Sequence, residues 1–503
     1  MLGIWRSHAE YQSSLINNLL PFYISNKSTV EYYSDALTKL YILDLDVLKL
    51  LIEPRFSTTG KPSNQQPEIF RSFVLMSELH YHSIPKWIGF LKANPILCYA
   101  IGISPNDVPG VGSHYDFIDR LWLENPEVLQ NRQDSLHPFK SKPRKKLGKN
   151  QKQPPRHPGI IKKFADLALQ GKSFENRPER LLQQIFANVA VEPSANAGLL
   201  GDTNKITVSG DGTCINTGGS PFGIKTCDCV SKGIYNCHCH RKFSDPDARH
   251  GWDSYHEVWY YGHCGYFLTV YNPELKKDLP IYLRLVQAQR YDGVTAIVAL
   301  SEVRKLYPLF NFEKFLGDGA HDNNPTYDLL HAWNMKAIIP LNKKSTGNFK
   351  YEPPIKIDDN GFPICMCGIP MIYDYYDKIR HRIKWRCPYA KGTIQSCSCK
   401  EQCSPSTYGR TVYTKPEWDL RLFTSIPRGS KQWKDEMNKR TSSERVNKRI
   451  LNDYNMEEAH ARGKKRWSWW TMVHSTNILL DARIKVSKFN FVSVLDELIS
   501  KTA

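Results

Sequence analysis

A strongly basic, proline-rich segment at residues 139–163 most restricts how this chain can fold. It contains ten lysines and arginines, four prolines and no acidic residue. Such a segment cannot bury an apolar core, so we interpret residues 136–165 as a linker. A chain of 503 residues is also too long for one core. We therefore expect separately folded units before and after the linker.

The charge of the whole chain indicates a polyanionic partner. The formal net charge is +18 at pH 7, an excess that is typical of nucleic-acid-binding proteins. The uniformly positive linker favours contact with DNA phosphates, with Lys145, Lys146 and Lys149 as candidate contacts. The alternative for the net charge is a soluble enzyme that is merely basic. The alternative for the linker is a run of charges that only contacts solvent. No apolar run reaches the roughly 18 residues that a membrane span needs, so we expect a cytoplasmic protein without membrane contacts.

Residues 1–135 show the periodicity of helices. Apolar side chains recur at helical spacing after Pro67, after Ile84 and from Ser113. Three short helices with tight connections are typical of a helix-turn-helix-like reader of DNA. A plain helical bundle produces the same pattern and is the alternative.

Residues 166–345 change to an α/β pattern. Short apolar runs predict strands at 206–208, 265–271, 279–286, 314–318 and 336–341, with helices at 294–307 and from Asn324. This order predicts a mixed sheet flanked by helices. Residues 346–428 interrupt the pattern with cysteines and prolines, and residues 429–503 are helical again.

Two aspartates are candidates for metal-dependent chemistry. Asp211 and Asp318 each lie next to a glycine at the predicted end of a strand, although such turns are also common without function. Carboxylates at this position can hold two divalent ions such as Mg²⁺, which suit phosphodiester chemistry. Glu444 is the candidate third carboxylate, with Arg440 one turn before it and Lys448 one turn after it. A surface ladder of ion pairs is the alternative for this helix.

The order of these motifs resembles a known family. The chain has VSGDGT at 208–213, FSDPDARHGWD at 243–253, LGDGAHD at 316–322 and RTSSER at 440–445. Together with WRCP at 385–388 and IPRGS at 426–430, this set resembles the bacterial insertion-sequence transposases of the DDE class. In the subgroup that it resembles, a helical DNA-binding region precedes an RNase H-like domain, and a cysteine-bearing insertion separates the last core strand from the glutamate helix.

The resemblance implies a function and a set of catalytic residues. Asp211, Asp318 and Glu444 would be the metal-binding triad for Mg²⁺ or Mn²⁺, with Asp322 as a rival for the second position. The implied reaction is cleavage of the element's DNA ends, followed by transfer of the 3′-hydroxyl into target DNA. The implied partners are the terminal inverted repeats, target DNA and a second copy of the chain in the synaptic complex, at the bacterial nucleoid. The alternatives are a transposase-derived DNA-binding protein without catalysis and a nuclease of the same fold.

The helix that carries Glu444 is a second candidate for DNA contacts. Arg440, Arg445, Lys448 and Arg449 are its candidate DNA-binding residues, and Lys448 or Arg449 would supply the phosphate-contacting cation. Further along the chain lie Trp467, Trp469 and Trp470, which suit stacking on unpaired bases at a DNA end. Packing of these tryptophans in the core is the alternative, and we favour it.

Twelve of the thirteen cysteines lie between residues 214 and 403. Two clusters stand out among them: Cys227, Cys229, Cys237, His238, Cys239 and His240, and then Cys365, Cys367, Cys387, Cys397, Cys399 and Cys403. Structural zinc takes four thiolates or imidazoles in a tetrahedron. We predict Cys387, Cys397, Cys399 and Cys403 as a candidate zinc site. Reduced, buried cysteines that act as small apolar residues are the alternative.

Overall fold

A mixed six-stranded sheet forms the centre of the protein. The computed structural model describes residues 1–123, 136–137, 159–172, 174, 177–239, 241–342, 355–399 and 403–502. The strands of the sheet are β2 (Ile206–Asn216), β5 (Arg249–Asp253), β6 (Val258–Asn272), β7 (Lys277–Gln287), β8 (Phe312–Leu316) and β9 (Lys336–Ile338). Their order is β5-β6-β2-β8-β9, and β7 pairs with β6 next to β5. The predicted mixed sheet is confirmed.

Parallel and antiparallel pairs meet at β2. This strand is antiparallel to β6 and parallel to β8, which is in turn parallel to β9. A smaller sheet joins the two-residue strands β1 (Leu136–His137), β3 (Ile224–Lys225) and β4 (Arg241–Lys242) in the order β1-β4-β3. Helices flank the central sheet, and they include α9 (Ile160–Leu169), α10 (Arg180–Phe186), α11 (Glu192–Asn196), α12 (Asp292–Leu306) and α13 (Asn324–Ala332).

The N-terminal region is helical, as predicted. Its helices are α1 (His8–Ser25), α2 (Lys27–Tyr32), α3 (Ser34–Ile42), α4 (Asp46–Ile52), α5 (Gln66–Glu78), α6 (Ile84–Lys92), α7 (Pro95–Ile101) and α8 (Val111–Leu121). Every residue of α5 from Gln66 to Ser77 is buried, and the exposed face of α8 carries Asp116 and Asp119. A buried helix and an acidic surface are both unsuited to a DNA groove, so this arrangement favours the helical-bundle alternative.

The C-terminal helices connect the N-terminal region to the sheet. They are α14 (Lys431–Asn438), α15 (Thr441–Lys448), α16 (Lys464–Ser487) and α17 (Phe491–Thr502). Every residue of α16 from Trp467 to Leu480 is buried, and the helix packs against both α5 and β7. The ring of Trp469 lies 4.9 Å from that of Phe73 and 5.6 Å from that of Phe117. The tryptophans therefore pack in the core.

The division of the chain into separately folded units stays a prediction, although the described N-terminal helices and the sheet share an apolar core. The N-terminal helices, the sheet and α16 contribute to one continuous core. Helix α16 is buried on all sides because α5 covers it on one side and β7 on another. The predicted linker is also shorter than expected, since α9 begins at Ile160 and packs Ala165 and Ala168 against Ile297 and Leu329. The rest of the basic segment, up to residue 158, lies outside the described residues.

The cysteine-bearing segment before α14 has a small core of its own. Strands β10 (Ile372–Asp377), β11 (Arg382–Arg386) and β12 (Thr411–Thr414) form an antiparallel sheet. Trp385 lies in the apolar cluster of this segment. Across the helices that the structure describes, none combines the length and the apolar character needed to cross a membrane.

Candidate active site

The pairing of β2 and β8 places the two predicted aspartates next to each other. The last register pair between these parallel strands joins Ser209 to Leu316. Asp211 lies two residues further along β2, and Asp318 lies two residues past the end of β8, close enough for its charge to act on Asp211. Asp211 was predicted at the end of a strand, but β2 continues to Asn216 because β6 remains paired with it, with Asp211 opposite Phe267.

The glycines on both sides of Asp211 give space to other polar groups. Side chains alternate between the two faces of a strand, so a side chain at position 210 or 212 would project from the face opposite Asp211. A Cβ atom on Gly210 would collide with the hydroxyl of Tyr266, and one on Gly212 would lie 2.7 Å from Oδ1 of Asp292. The Gly-Asp-Gly motif is thus required by close packing and is not a turn.

Asp292, the first residue of α12, lies beside Gly212 on the face of β2 opposite Asp211, and its charge still acts on Asp211. Burial, followed by the charges of Asp318 and Asp292, raises the pKa of Asp211 to about 7. Burial also raises the pKa of Asp292 itself. The sequence analysis did not identify this residue, because only the docking of α12 against β2 brings it close. Burial is the largest cause of both shifts, and the neighbouring carboxylates add to the shift at Asp211.

A histidine fixes the orientation of Asp318. Nδ1 of the fully buried His321 lies 2.7 Å from Oδ1 of Asp318, and Nε2 lies 2.9 Å from the hydroxyl of Tyr266. Because a carboxylate can only accept, Nδ1 donates to it, and Nε2 pairs with the Tyr266 hydroxyl. Burial alone would raise the pKa of Asp318, but the hydrogen bond and charge of His321 bring this pKa below its usual value.

Helix α15, which carries Glu444, packs against β2, the strand that carries Asp211. The Ser209 hydroxyl donates to the carbonyl oxygen of Arg440 at 3.1 Å. About two turns further on, the buried Asn447 places Nδ2 3.4 Å from Oδ2 of Asp211. Its Oδ1 is also buried and has no hydrogen-bond partner among the described residues. The sequence analysis did not identify Asn447, although it lies only three residues after Glu444.

Glu444 itself is turned away from the aspartates. Its side chain is half exposed and forms an ion pair with Arg440, as the ion-pair alternative expects. The positive charge of Arg440 lowers the pKa of both Asp211 and Asp318, as one of several contributions. Within the described part of the chain, the three predicted carboxylates do not form a group with all ligand atoms within 4.8 Å. The structure brings the two aspartates together and links Glu444 to them through Arg440.

Asp322, the rival for the second metal position, has a structural role. Its two carboxylate oxygens accept from Nε and Nη2 of Arg421 at 2.8 and 2.7 Å. They also accept from the Tyr327 hydroxyl and from the backbone of Asn342. With these acceptors occupied, Asp322 joins the sheet to the segment before α14, and the rival interpretation is not supported.

The predicted DNA-binding cations differ in their surroundings. Lys145, Lys146 and Lys149 lie outside the described residues. Arg445 binds both carboxylate oxygens of Asp278 at 2.6 Å, and Arg449 binds Asp481 at 2.6 Å. Lys448 is exposed, and no described residue forms an ion pair with it.

The cysteines form two groups that could hold a metal ion such as Zn²⁺. In each group all Sγ atoms lie within 4.8 Å of one another, and the members are Cys227, Cys229, Cys237 and Cys239 in the first, and Cys367, Cys397 and Cys399 in the second. Four thiolates, or three with one further ligand, are usual for structural zinc. The first group lies in the loop between β2 and β5.

The second group differs from the predicted set. Cys367 belongs to it, whereas Cys387 and Cys403 lie outside it. A tight turn, closed by the Gly368 N–H that donates to the carbonyl oxygen of Cys365 at 2.9 Å, carries Cys367 to within 3.3 Å of Cys397. Spacing along the sequence could not show this long-range contact.

No protein-family model, curated protein or solved structure matches the chain. The function is therefore argued from the site and from the order of the sequence motifs.

Proposed function

We propose that this protein is a DDE-class transposase with an RNase H-like catalytic unit. It would cut the DNA ends of an insertion element and transfer the 3′-hydroxyl into target DNA. The observation that carries the proposal is the proximity of Asp211, on β2, to Asp318, which lies just past the end of the parallel neighbouring strand β8. The packing of the glutamate helix on the strand of Asp211 supports it further.

The donor atoms of the site fit a hard divalent cation. Asp211 and Asp318 contribute carboxylate oxygens, and the unpaired Oδ1 of Asn447 is a further oxygen near Asp211. Burial, together with the charges of Asp318 and Asp292, raises the pKa of Asp211, and a bound cation would favour its ionised form. Magnesium or manganese prefers such oxygen ligands, and a bound pair would activate water and stabilise the leaving oxygen.

Arg440 and Glu444 are proposed to exchange partners when the site is loaded. Without a cation, the guanidinium of Arg440 compensates charge at the site and binds Glu444. With a cation and DNA present, Glu444 would turn to the aspartates and Arg440 to a DNA phosphate. The exposed Lys448, one turn further along α15, would contact the next phosphate. His321 would hold Asp318 in place during this exchange.

The test is cleavage and joining of DNA duplexes taken from the borders of the coding sequence. The natural chain should cut them with Mg²⁺ and should join pre-cut ends to a target plasmid. Asp211→Asn and Asp318→Asn should bind the same duplexes without cutting them. Asp116→Asn, which changes an exposed aspartate on α8, is the matched control and should behave like the natural chain.

Other results would favour the alternatives. Cleavage without joining would indicate a nuclease of the same fold. Binding without cleavage by the natural chain would indicate a transposase-derived DNA-binding protein, an alternative that the Arg440–Glu444 ion pair favours. Cleavage that survives Asp211→Asn would contradict the assignment of the site.

A further inference from the structure

The loop between β2 and β5 has four cysteines in the geometry of a metal site. The Sγ atoms of Cys227 and Cys237 lie 3.6 Å apart, and so do those of Cys229 and Cys239. All four sulfur atoms lie within 4.8 Å of one another. A disulfide would need a separation of about 2.05 Å. Zinc–sulfur bonds of about 2.3 Å in a tetrahedron place neighbouring sulfurs about 3.8 Å apart.

The same loop has no apolar core. Of residues 220–239, Cys237 is the single buried one. Large apolar side chains of the loop, such as Phe222, Ile224 and Tyr235, are 69–73% exposed. Among the described residues of this loop, strand pairs form only between β4 and β1 and between β4 and β3, each two residues long. Pairs this short are not stable alone, so the loop needs another source of order.

We propose that Cys227, Cys229, Cys237 and Cys239 bind one structural Zn²⁺. The four thiols lose their protons, and the thiolates bind the ion in a tetrahedron. Cys227 and Cys229 lie before the turn at residues 230–236, and Cys237 and Cys239 lie after it. The ion would therefore connect the two sides of this turn. It thereby supports β3 and β4, and through β4 the pairing with β1. This role is structural and does not depend on the proposed reaction.

Zinc content of the purified full-length chain tests the proposal. Cys229→Ser should contain one zinc ion per chain less than the natural protein. Ser231→Ala, an exposed change in the same loop, should keep the natural zinc content. Cys397→Ser affects only the second cysteine group and separates the contributions of the two groups. An unchanged zinc content in Cys229→Ser would overturn the proposal.

A second measurement on the natural chain does not depend on the folding of a variant. Trypsin should cut after Lys232 in the loop only once a chelator has removed zinc, and added zinc should restore protection. Cys397→Ser should show the same protection at Lys232. Cutting that is equal with and without zinc, or a disulfide between Cys227 and Cys237 found by mass spectrometry of unreduced peptides, would overturn the proposal.

Discussion

At the scale of single residues, Asp211 has the most informative environment. It is held close to Asp318 and Asp292, and its pKa is raised from 3.8 to about 7. Between these two values the folded state holds a proton that the unfolded state has released. The free energy of unfolding should therefore fall as pH rises through this range, by at most about 1.4 kcal/mol per pH unit.

This environment predicts the behaviour of Asp211→Asn. Without divalent cations, the variant should be more stable than the natural chain above about pH 7, and the difference should vanish below about pH 4. Added Mg²⁺ should raise the melting temperature of the natural chain but not that of the variant. Thermal melts across this pH range check both points, with Asp116→Asn as the control. Parallel pH profiles for the two chains would contradict the account.

Asp322 should respond differently although it lies in the same motif as Asp318. Asp322→Asn leaves the buried Arg421 without its counter-ion, so we expect a loss of about 3–5 kcal/mol in the free energy of unfolding. The stabilisation by Mg²⁺ should remain. Urea titration with and without Mg²⁺ measures both quantities, and Asp359→Asn on the exposed surface is the control. A variant of full stability that no longer responds to Mg²⁺ would restore Asp322 as a metal ligand.

Sequence motifs located Asp211 and Asp318 because both lie in short glycine-bearing patterns. Asp292 was missed because it has no local pattern, and Cys367 was placed in the second cysteine cluster but not among its four predicted ligands. Their positions follow from the docking of α12 on β2 and from a turn that brings Cys367 to Cys397. Contacts of this kind depend on tertiary structure, which residue spacing does not encode.

At the scale of elements, periodicity located five of the six strands of the central sheet, all but β5, and the helices α12 and α13 beside it. It did not show that α16 joins the N-terminal helices to the sheet. Polar and apolar residues are mixed on every side of α16, so its pattern has no apolar face that identifies its neighbours. The register between paired strands could not be predicted from periodicity either. The register of β2 against β8 brings the two aspartates close to each other.

The role of α16 predicts a cooperative effect of Trp469. Trp469→Ala should lower the free energy of unfolding by about 3–5 kcal/mol. Hydrogen exchange should rise both in α5 and in β7, because α16 packs against both. Trp259→Ala, at a side chain that is 70% exposed, is the control. Faster exchange in α5 alone would show that the N-terminal helices form an independent unit.

At the scale of the whole molecule, the net charge of +18 predicts a steep salt dependence of DNA binding. The combined change of Lys145, Lys146 and Lys149 to Gln should lower the slope of log affinity against log salt by about 2.7 if each lysine contacts one phosphate. Changing the exposed Lys305, Lys378 and Lys488 to Gln is the matched control. Equal slopes for the two triple variants would contradict the role of the basic segment.

The central claim is that carboxylates distant in sequence form one cation site. The most direct measurement is anomalous diffraction from Mn²⁺ in crystals of the protein with a DNA end. The account predicts manganese within about 2.2 Å of oxygens of Asp211, Asp318 and Glu444, with Arg440 moved to a DNA phosphate. Manganese absent from the aspartates, or Glu444 still bound to Arg440 beside a loaded site, would contradict it.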